Sequence, residues 1–151
     1  MPTYKSPLGY IKIEHKNCKL TLLKILKSTP SDCGITDEFT DKVFAQLLKY
    51  FRGELKNFDV EVDTSACTPF QESVLKELQK IPYGETRTYK DIAIALGKPT
   101  AARAVGGANN KNPIHIIIPC HRVIGGKGKL VGYAAGLDTK ETLLDIETSK
   151  F

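Results

Sequence analysis

Cys120, His121 and Arg122 occupy consecutive positions behind Pro119, at the end of the apolar run Ile116-Ile117-Ile118. A thiol followed by an imidazole and a guanidinium is a set from which a nucleophile can be built. The thiolate is the reactive form of cysteine, and adjacent positive charge or a base within hydrogen-bond reach produces it. His121 and Arg122 can supply both. Side chains at consecutive positions diverge, so His121 reaches the sulfur only through a tight turn or a bridging water, and Pro119 provides for the turn. A Cys–His pair is completed by an acceptor that fixes the imidazole tautomer. Glu147 has the chemistry for that role, although spacing alone does not bring it there, and an ordinary exposed helix carboxylate looks the same in sequence. Cys18, Cys33 and Cys67 are widely spaced without a C-x-x-C, and His15, His115 and His121 are scattered. That pattern suggests neither a disulfide scaffold nor a metal site, although a bridge among the first three cysteines stays open for a hyperthermophile.

The elements that must position these groups fall into two halves. YIKIEH (10–15) alternates as a strand, HKN turns, and KLTLLKIL (19–26) returns as a second strand. STPSDCG (28–34) is a loop. Thr36 then caps a helix whose stripe is Phe39, Val43 and Leu47, ending at Gly53, and FDVEVD (58–63) alternates as a further strand. A boundary near residues 63–67 separates this α/β half, 1–63, from a mainly helical half, 67–151. There, Thr68-Pro69-Phe70-Gln71 is a capping box with proline at the first helical position. Thr88 opens YKDIAIAL (89–96), closed by Gly97, and Thr100 caps AARAVGGAN (101–109). These two short helices have the spacing of a helix-turn-helix. The apolar, strand-like run before Cys120 follows Asn112-Pro113. Asp138-Thr139-Lys140-Glu141 forms a last capping box, leading a helix to Glu147.

With 151 residues, 41% of them apolar and 26% charged, the chain has the balance of a soluble globular protein. MPTYKSPLGY is no signal peptide and no window approaches a bilayer-spanning length, so an intracellular, cytoplasmic protein without membrane partners is expected. Net charge is +5, and between Arg87 and Lys129 eight basic side chains face a single acid, Asp91. Such a segment attracts polyanions, or is simply a solvated basic face. The helix 101–109 bears Arg103 as its only long side chain among alanines and glycines. Two glycines inside a helix cost roughly 1 kcal/mol each relative to alanine. The missing bulk serves either close helix packing or the approach of a nucleic-acid backbone.

The blocks TPFQESV, IPYGETRTYKDIA, ARAVGGAN, NPIHIIIPCHRVIG, GYAAGL and KETLLDIE, in that order, resemble the methylated-DNA–protein-cysteine methyltransferases, which repair O6-alkylguanine. The resemblance implies an α+β fold: a small N-terminal, ribonuclease-H-like α/β domain of structural role, then a helical domain with a winged helix-turn-helix. It implies irreversible, single-turnover transfer of the alkyl group from O6-alkylguanine, and from O4-alkylthymine, to Cys120 after minor-groove binding and base flipping. His121 would be the base acting through a water, Glu147 its orienting carboxylate, Asn112 the holder of the turn. Tyr89 would help rotate the phosphate and donate toward the purine N3. Arg103 would fill the gap left by the flipped nucleotide, with Ala102, Gly106, Tyr89 and Arg122 also meeting DNA. Pro119, Tyr133, Ala134, Ala135 and Gly136 would line the pocket. The implied partner is double-stranded DNA, bound by a monomer with no cofactor and no metal, in the cytoplasm at the nucleoid, or in a nucleus if the source is eukaryotic.

The family's pocket loop commonly reads Tyr-x-Gly-Gly, whereas here it is Tyr133-Ala134-Ala135-Gly136, so narrower acceptance of bulky O6-substituents is expected. Three other readings compete. A lesion-binding module that flips the base without repair would have another residue in place of Cys120. A helix-turn-helix regulator would carry base-edge readers on its second helix, where alanine and glycine dominate. A Cys–His hydrolase would need an oxyanion motif.

Overall fold

A computed structural model describes residues 2–26, 28–126, 133 and 135–148. Three antiparallel strands, β1 (Thr3–Ser6), β2 (Gly9–Lys16) and β3 (Lys19–Leu26), form a sheet in sequential order. β2 and β3 arise as their alternation predicts, with Ile11, Ile13, Leu20 and Leu23 turned fully into the core. Asn17 and Cys18 make the hairpin turn with φ of 53° and 60°, the left-handed pair that matches strand twist. β1 is an addition to the sequence reading, for TYKS is too short and polar to announce a strand.

Helix α1 (Glu38–Phe51) starts one residue later than expected. Asp37, not Thr36, is its cap, because Thr40 lies three residues on and its hydroxyl completes a reciprocal box with Asp37; three residues after Thr36 stands Phe39, which can accept nothing. Residues 58–63 form no strand. They touch the sheet at one bridge, Leu20 with Val62, because the open edge of β3 is shared: Leu20 bonds Glu61 and Asp63, while Leu23 bonds Pro113 and His115. The segment leading to Cys120 is thereby fastened to the N-terminal sheet.

The second half contains α2 (Pro69–Leu78), β4 (Arg87–Thr88), α3 (Tyr89–Ala95), α4 (Ala102–Asn110), a 3-10 turn (Cys120–Arg122), β5 (Val123–Ile124) and α5 (Leu137–Glu147). Thr68 and Thr88 cap α2 and α3 through capping boxes with Gln71 and Asp91. Two other expected caps are absent. Ala101 occupies the cap of α4 with no side-chain bond, so Thr100 does not serve. α5 begins earlier, after Gly136 at φ 100°, which puts Asp138 inside the first turn, where its charge favours the helix dipole instead of forming a box. β4 and β5 pair in parallel, tying the entrance of α3 to the exit of the Cys120 turn. Val43, Leu47, Leu75, Leu78, Val105, Ile118 and Leu143 join the sheet residues in a single apolar core. No described helix is long and apolar enough to cross a membrane.

Candidate active site and DNA-facing surface

Residues 114–118 are not a strand. They fold into successive turns around the amide of Asn112, whose Nδ2 donates to the carbonyls of Ile114 and Ile118 at 3.0 and 2.9 Å, while its Oδ1 accepts from Ile114 N–H at 3.0 Å. Ile116 sits at φ 71°. For a β-branched residue that is an outlier costing roughly 1–2 kcal/mol, offset by burying three isoleucines and saturating Asn112. Cys120 follows directly, its N–H bonded to Ile118 and its carbonyl reached by the buried Asn109 amide at 3.4 Å.

The thiol is 2% exposed. Burial pushes it up to about 11, against the Asn112 hydrogen bond, the Lys140 charge and the Tyr133 hydroxyl, all of which favour the thiolate. At rest Cys120 is therefore a protonated thiol surrounded by groups that lower the cost of ionising it.

Beside it His121 is fully buried, with Nε2 2.6 Å from Glu147 Oε2. Burial holds its imidazole below the ordinary value despite that carboxylate, so it is neutral. An ionised carboxylate only accepts, which assigns the proton to Nε2 and leaves Nδ1 as an acceptor; Nδ1 has no partner among the described residues. Burial would raise the Glu147 carboxyl, but hydrogen bonds and charge from His121 and Arg122 prevail and hold it at about 2. Gly84 closes over it: its N–H lies 3.4 Å from Glu147 Oε1, and at φ 81° any Cβ would come within 3.2 Å of the Glu147 carbonyl.

Arg122 departs from the expectation that it meets DNA. It is buried, with Nε 2.7 Å from Glu147 Oε1, Nη2 3.0 Å from Oε2 and Nη1 2.8 Å from the Ile81 carbonyl. A planar fork beside a carboxylate pairs with it, and that geometry was not visible in the linear order.

Tyr133 is buried beside Cys120, Ala135 is buried just before α5 where it borders a cavity with Leu8, Gly9, Ile25 and Leu26, and Gly136 is the cap residue of α5; Ala134 lies outside the described residues. The Tyr133 hydroxyl makes no regular hydrogen bond among the described residues, yet burial and the nearby Cys120 push its ionisation well above the usual range. Its ring leans on His115, at 5.7 Å between centroids. Half-buried Tyr89 is likewise raised by burial and then by Cys120. Arg103 stands apart on the exposed face of α4, with Ala104, Gly107 and Asn110, while Ala102 and Gly106 flank it half-buried.

Sequence reasoning missed Lys140, which is fully buried, pushed down to about 8 by burial, with Nζ 6.0 Å from the Tyr89 ring centroid. A signal existed: Lys140, Leu143 and Glu147 share a helical stripe, and charges on an apolar stripe mark a buried polar site. It also missed Tyr50, whose place in the stripe Val43-Leu47-Tyr50 reads as ordinary core.

Comparison with known proteins agrees with this architecture. The family model described as "6-O-methylguanine DNA methyltransferase, DNA binding domain" matches residues 69–149, and that described as "6-O-methylguanine DNA methyltransferase, ribonuclease-like domain" matches residues 2–64. A methylated-DNA–protein-cysteine methyltransferase of Methanosarcina barkeri is 51% identical, over 95% of this chain and 93% of that one. The chain belongs to the methylated-DNA–protein-cysteine methyltransferase family. The Methanosarcina mazei methyltransferase is 56% identical over 95% of this chain and 93% of its own. Among solved structures, Mycobacterium tuberculosis OGT in complex with DNA superposes with a TM-score of 0.89 at 48% identity, covering 99% of this chain and 92% of that one. The O6-methylguanine-DNA methyltransferase of Pyrococcus kodakaraensis gives 0.71 at 28% identity, covering 97% and 98%. As a methyltransferase of this family the protein is a DNA-repair enzyme that moves alkyl groups from DNA to a protein cysteine, with its DNA-binding domain in the second half.

Proposed function

We propose that Cys120 is the acceptor and that the substrate is O6-alkylguanine in double-stranded DNA, with O4-alkylthymine as a second lesion. The observation that carries this reading is the buried Cys120 turn, held by Asn112, next to a neutral His121 whose Nε2 is engaged by Glu147 and whose Nδ1 has no partner among the described residues. His121 Nδ1 takes the thiol proton through a bridging water, and Lys140, Asn112 and Tyr133 favour the thiolate that results. Sulfur attacks the alkyl carbon in line; the S–C bond forms as the C–O6 bond breaks, and the electron pair stays on guanine. Tyr89 offsets that charge by donating toward N3, and the proton first taken from sulfur neutralises the base. Only the thiol is consumed. Water does not displace a thioether, so each monomer acts once, and the reaction as written calls on no cofactor.

The alkyl carbon is hidden in the duplex, so the base must leave the stack at a cost of a few kcal/mol. Arg103, exposed on α4, fills the gap. Interior packing requires neither glycine of α4: a Cβ on Gly107 would meet nothing within 4 Å, and one on Gly106 only the Tyr89 ring at 3.8 Å. Their helix penalty is accounted for by a partner backbone approaching from outside, which supports docking of α4 with Ala102 and Gly106 in the minor groove. Pro119 and the loop Tyr133-Ala134-Ala135-Gly136 would receive the flipped base. The division at residues 63–67 then separates a supporting half from a reacting half, and the protein works at the chromosome, in a cytoplasmic nucleoid or a eukaryotic nucleus.

The test compares two variants on two substrates. Cys120→Ser should lose transfer while binding lesion-bearing duplex nearly as wild type does. Arg103→Ala should lose repair of duplex far more than reaction with free O6-benzylguanine; equal losses on both substrates would refute the flipping role, and transfer by Cys120→Ser would refute the acceptor.

A further inference from the structure

We propose that Tyr50, on α1 in the N-terminal half, is a positioning residue for alkyl transfer: its hydroxyl binds Glu147 Oε2 and moderates the pull of that carboxylate on the His121 proton. The inference rests on the reading in which Glu147 orients His121.

Tyr50 is fully buried and 97 residues from Glu147 in the chain, and its hydroxyl donates to Glu147 Oε2. The same oxygen takes His121 Nε2 at 2.6 Å and Arg122 Nη2 at 3.0 Å. Packing alone does not call for a hydroxyl here. The ring is held edge-on by Tyr83 at 6.2 Å and tilted against Phe58 at 5.5 Å, contacts that phenylalanine would make as well. A buried hydroxyl is a penalty unless bonded, and this one is bonded to the carboxylate that holds His121. Burial and the charge of Glu147 hold the phenol far above its ordinary range, so it remains a neutral donor.

The consequence follows from competition for one oxygen. A carboxylate facing an imidazole favours the imidazolium, and each further donor on that carboxylate stabilises the anion and weakens the pull. Arg122 acts in this sense from the same side of Glu147, and Lys140, facing His121, opposes the imidazolium by charge. His115 also faces His121, and Tyr83 and Arg122 face Tyr50. Tyr50 is the donor contributed by the N-terminal half. It gives that half a part in keeping His121 neutral, with Nδ1 able to take the thiol proton.

The experiment uses the full chain with Tyr50→Phe and Glu147→Gln in parallel, measuring the single-turnover transfer rate from a duplex bearing one O6-methylguanine across pH 5 to 9. For Tyr50→Phe the acid limb should move to higher pH by roughly half to one unit, a loss of roughly three- to tenfold on the acid side and little at high pH. Affinity for unmodified duplex should not change. An unmoved limb, or the same fractional loss at every pH, would overturn the proposal by reducing Tyr50 to a packing residue. Should Tyr50→Phe not fold, 3-fluorotyrosine placed at position 50 supplies a stronger donor. It should move the limb to lower pH, and a limb that stays or rises overturns the proposal. If Glu147→Gln keeps the wild-type rate and profile, the underlying reading of Glu147 fails; if Glu147→Gln loses rate while the Tyr50 limb stays, only Tyr50 fails.

Discussion

Replacing Glu147 by glutamine should destabilise the protein by about 3 kcal/mol at pH 7, and two routes lead to that magnitude. The first is the ion pair. Arg122 is 8% exposed, and its guanidinium faces Glu147 through two hydrogen bonds. Removing one partner of a buried pair strands the other charge, at a cost of about 3–5 kcal/mol. The second is proton linkage. The Glu147 carboxyl is held at about 2 against an ordinary 4.5. Its folded value lies below its unfolded one, so the unfolded state binds the proton first. The stabilisation is complete above pH 4.5 and disappears as pH falls from there toward 2. At about 1.4 kcal/mol per unit, that window corresponds to about 3 kcal/mol. Glutamine keeps the shape and some hydrogen bonds but not the charge. Urea unfolding followed by circular dichroism at pH 7 measures the difference directly, and repeating it toward pH 4 should narrow the gap between variant and wild type. A loss under about 1 kcal/mol at pH 7, or a gap that does not narrow in acid, would mean that the Glu147 charge does not stabilise the fold through Arg122 and His121.

His115 supplies a second acid-sensitive group. Burial, then Lys24 and His121, push its imidazole down to about 4 from 6.5, so its stabilising contribution is present above pH 6.5 and lost as pH falls toward 4; His115→Phe should flatten the stability profile in that window, measured by thermal unfolding. Lys140→Met should raise the Cys120 thiol further and slow its alkylation by iodoacetamide at pH 8 by roughly tenfold, the effect of about one unit in thiol ionisation; an unchanged rate would remove Lys140 from the activation of the thiol. On the proposal that residues 133–136 receive the flipped base, Ala135→Gly removes a buried methyl from that position and should speed reaction with O6-benzylguanine relative to O6-methylguanine, whereas an unaltered ratio would mean that the methyl does not restrict the pocket.

The parts of the fold legible in sequence are those fixed by local rules. Strands β2 and β3 follow from alternation, and the starts of α2 and α3 from capping boxes whose partners are three residues apart. What escaped depends on contacts distant in sequence. β1 is defined by its pairing with β2, and residues 58–63 lose their strand because β3 divides its free edge between two segments. The run before Cys120 reads as a strand from its isoleucines but is wound into turns by Asn112, a choice that side-chain hydrogen bonding makes and hydropathy cannot show. Sequence chemistry and the resemblance pair Glu147 with His121 without a reason in the spacing; that they lie 2.6 Å apart follows from how α5 docks beside the Cys120 turn. Arg122 reads as a surface cation beside a nucleophile until the fold brings Glu147 to it.

In the proposed reaction one buried thiol, Cys120, receives the alkyl group and keeps it. Incubation with a duplex bearing a single O6-methylguanine, followed by intact mass and peptide mapping, tests this most directly. The expected result is a gain of one methyl, confined to Cys120, with repair saturating at one lesion per protein molecule. A methyl on another residue, or repair continuing past that stoichiometry with Cys120 unmodified, would contradict it.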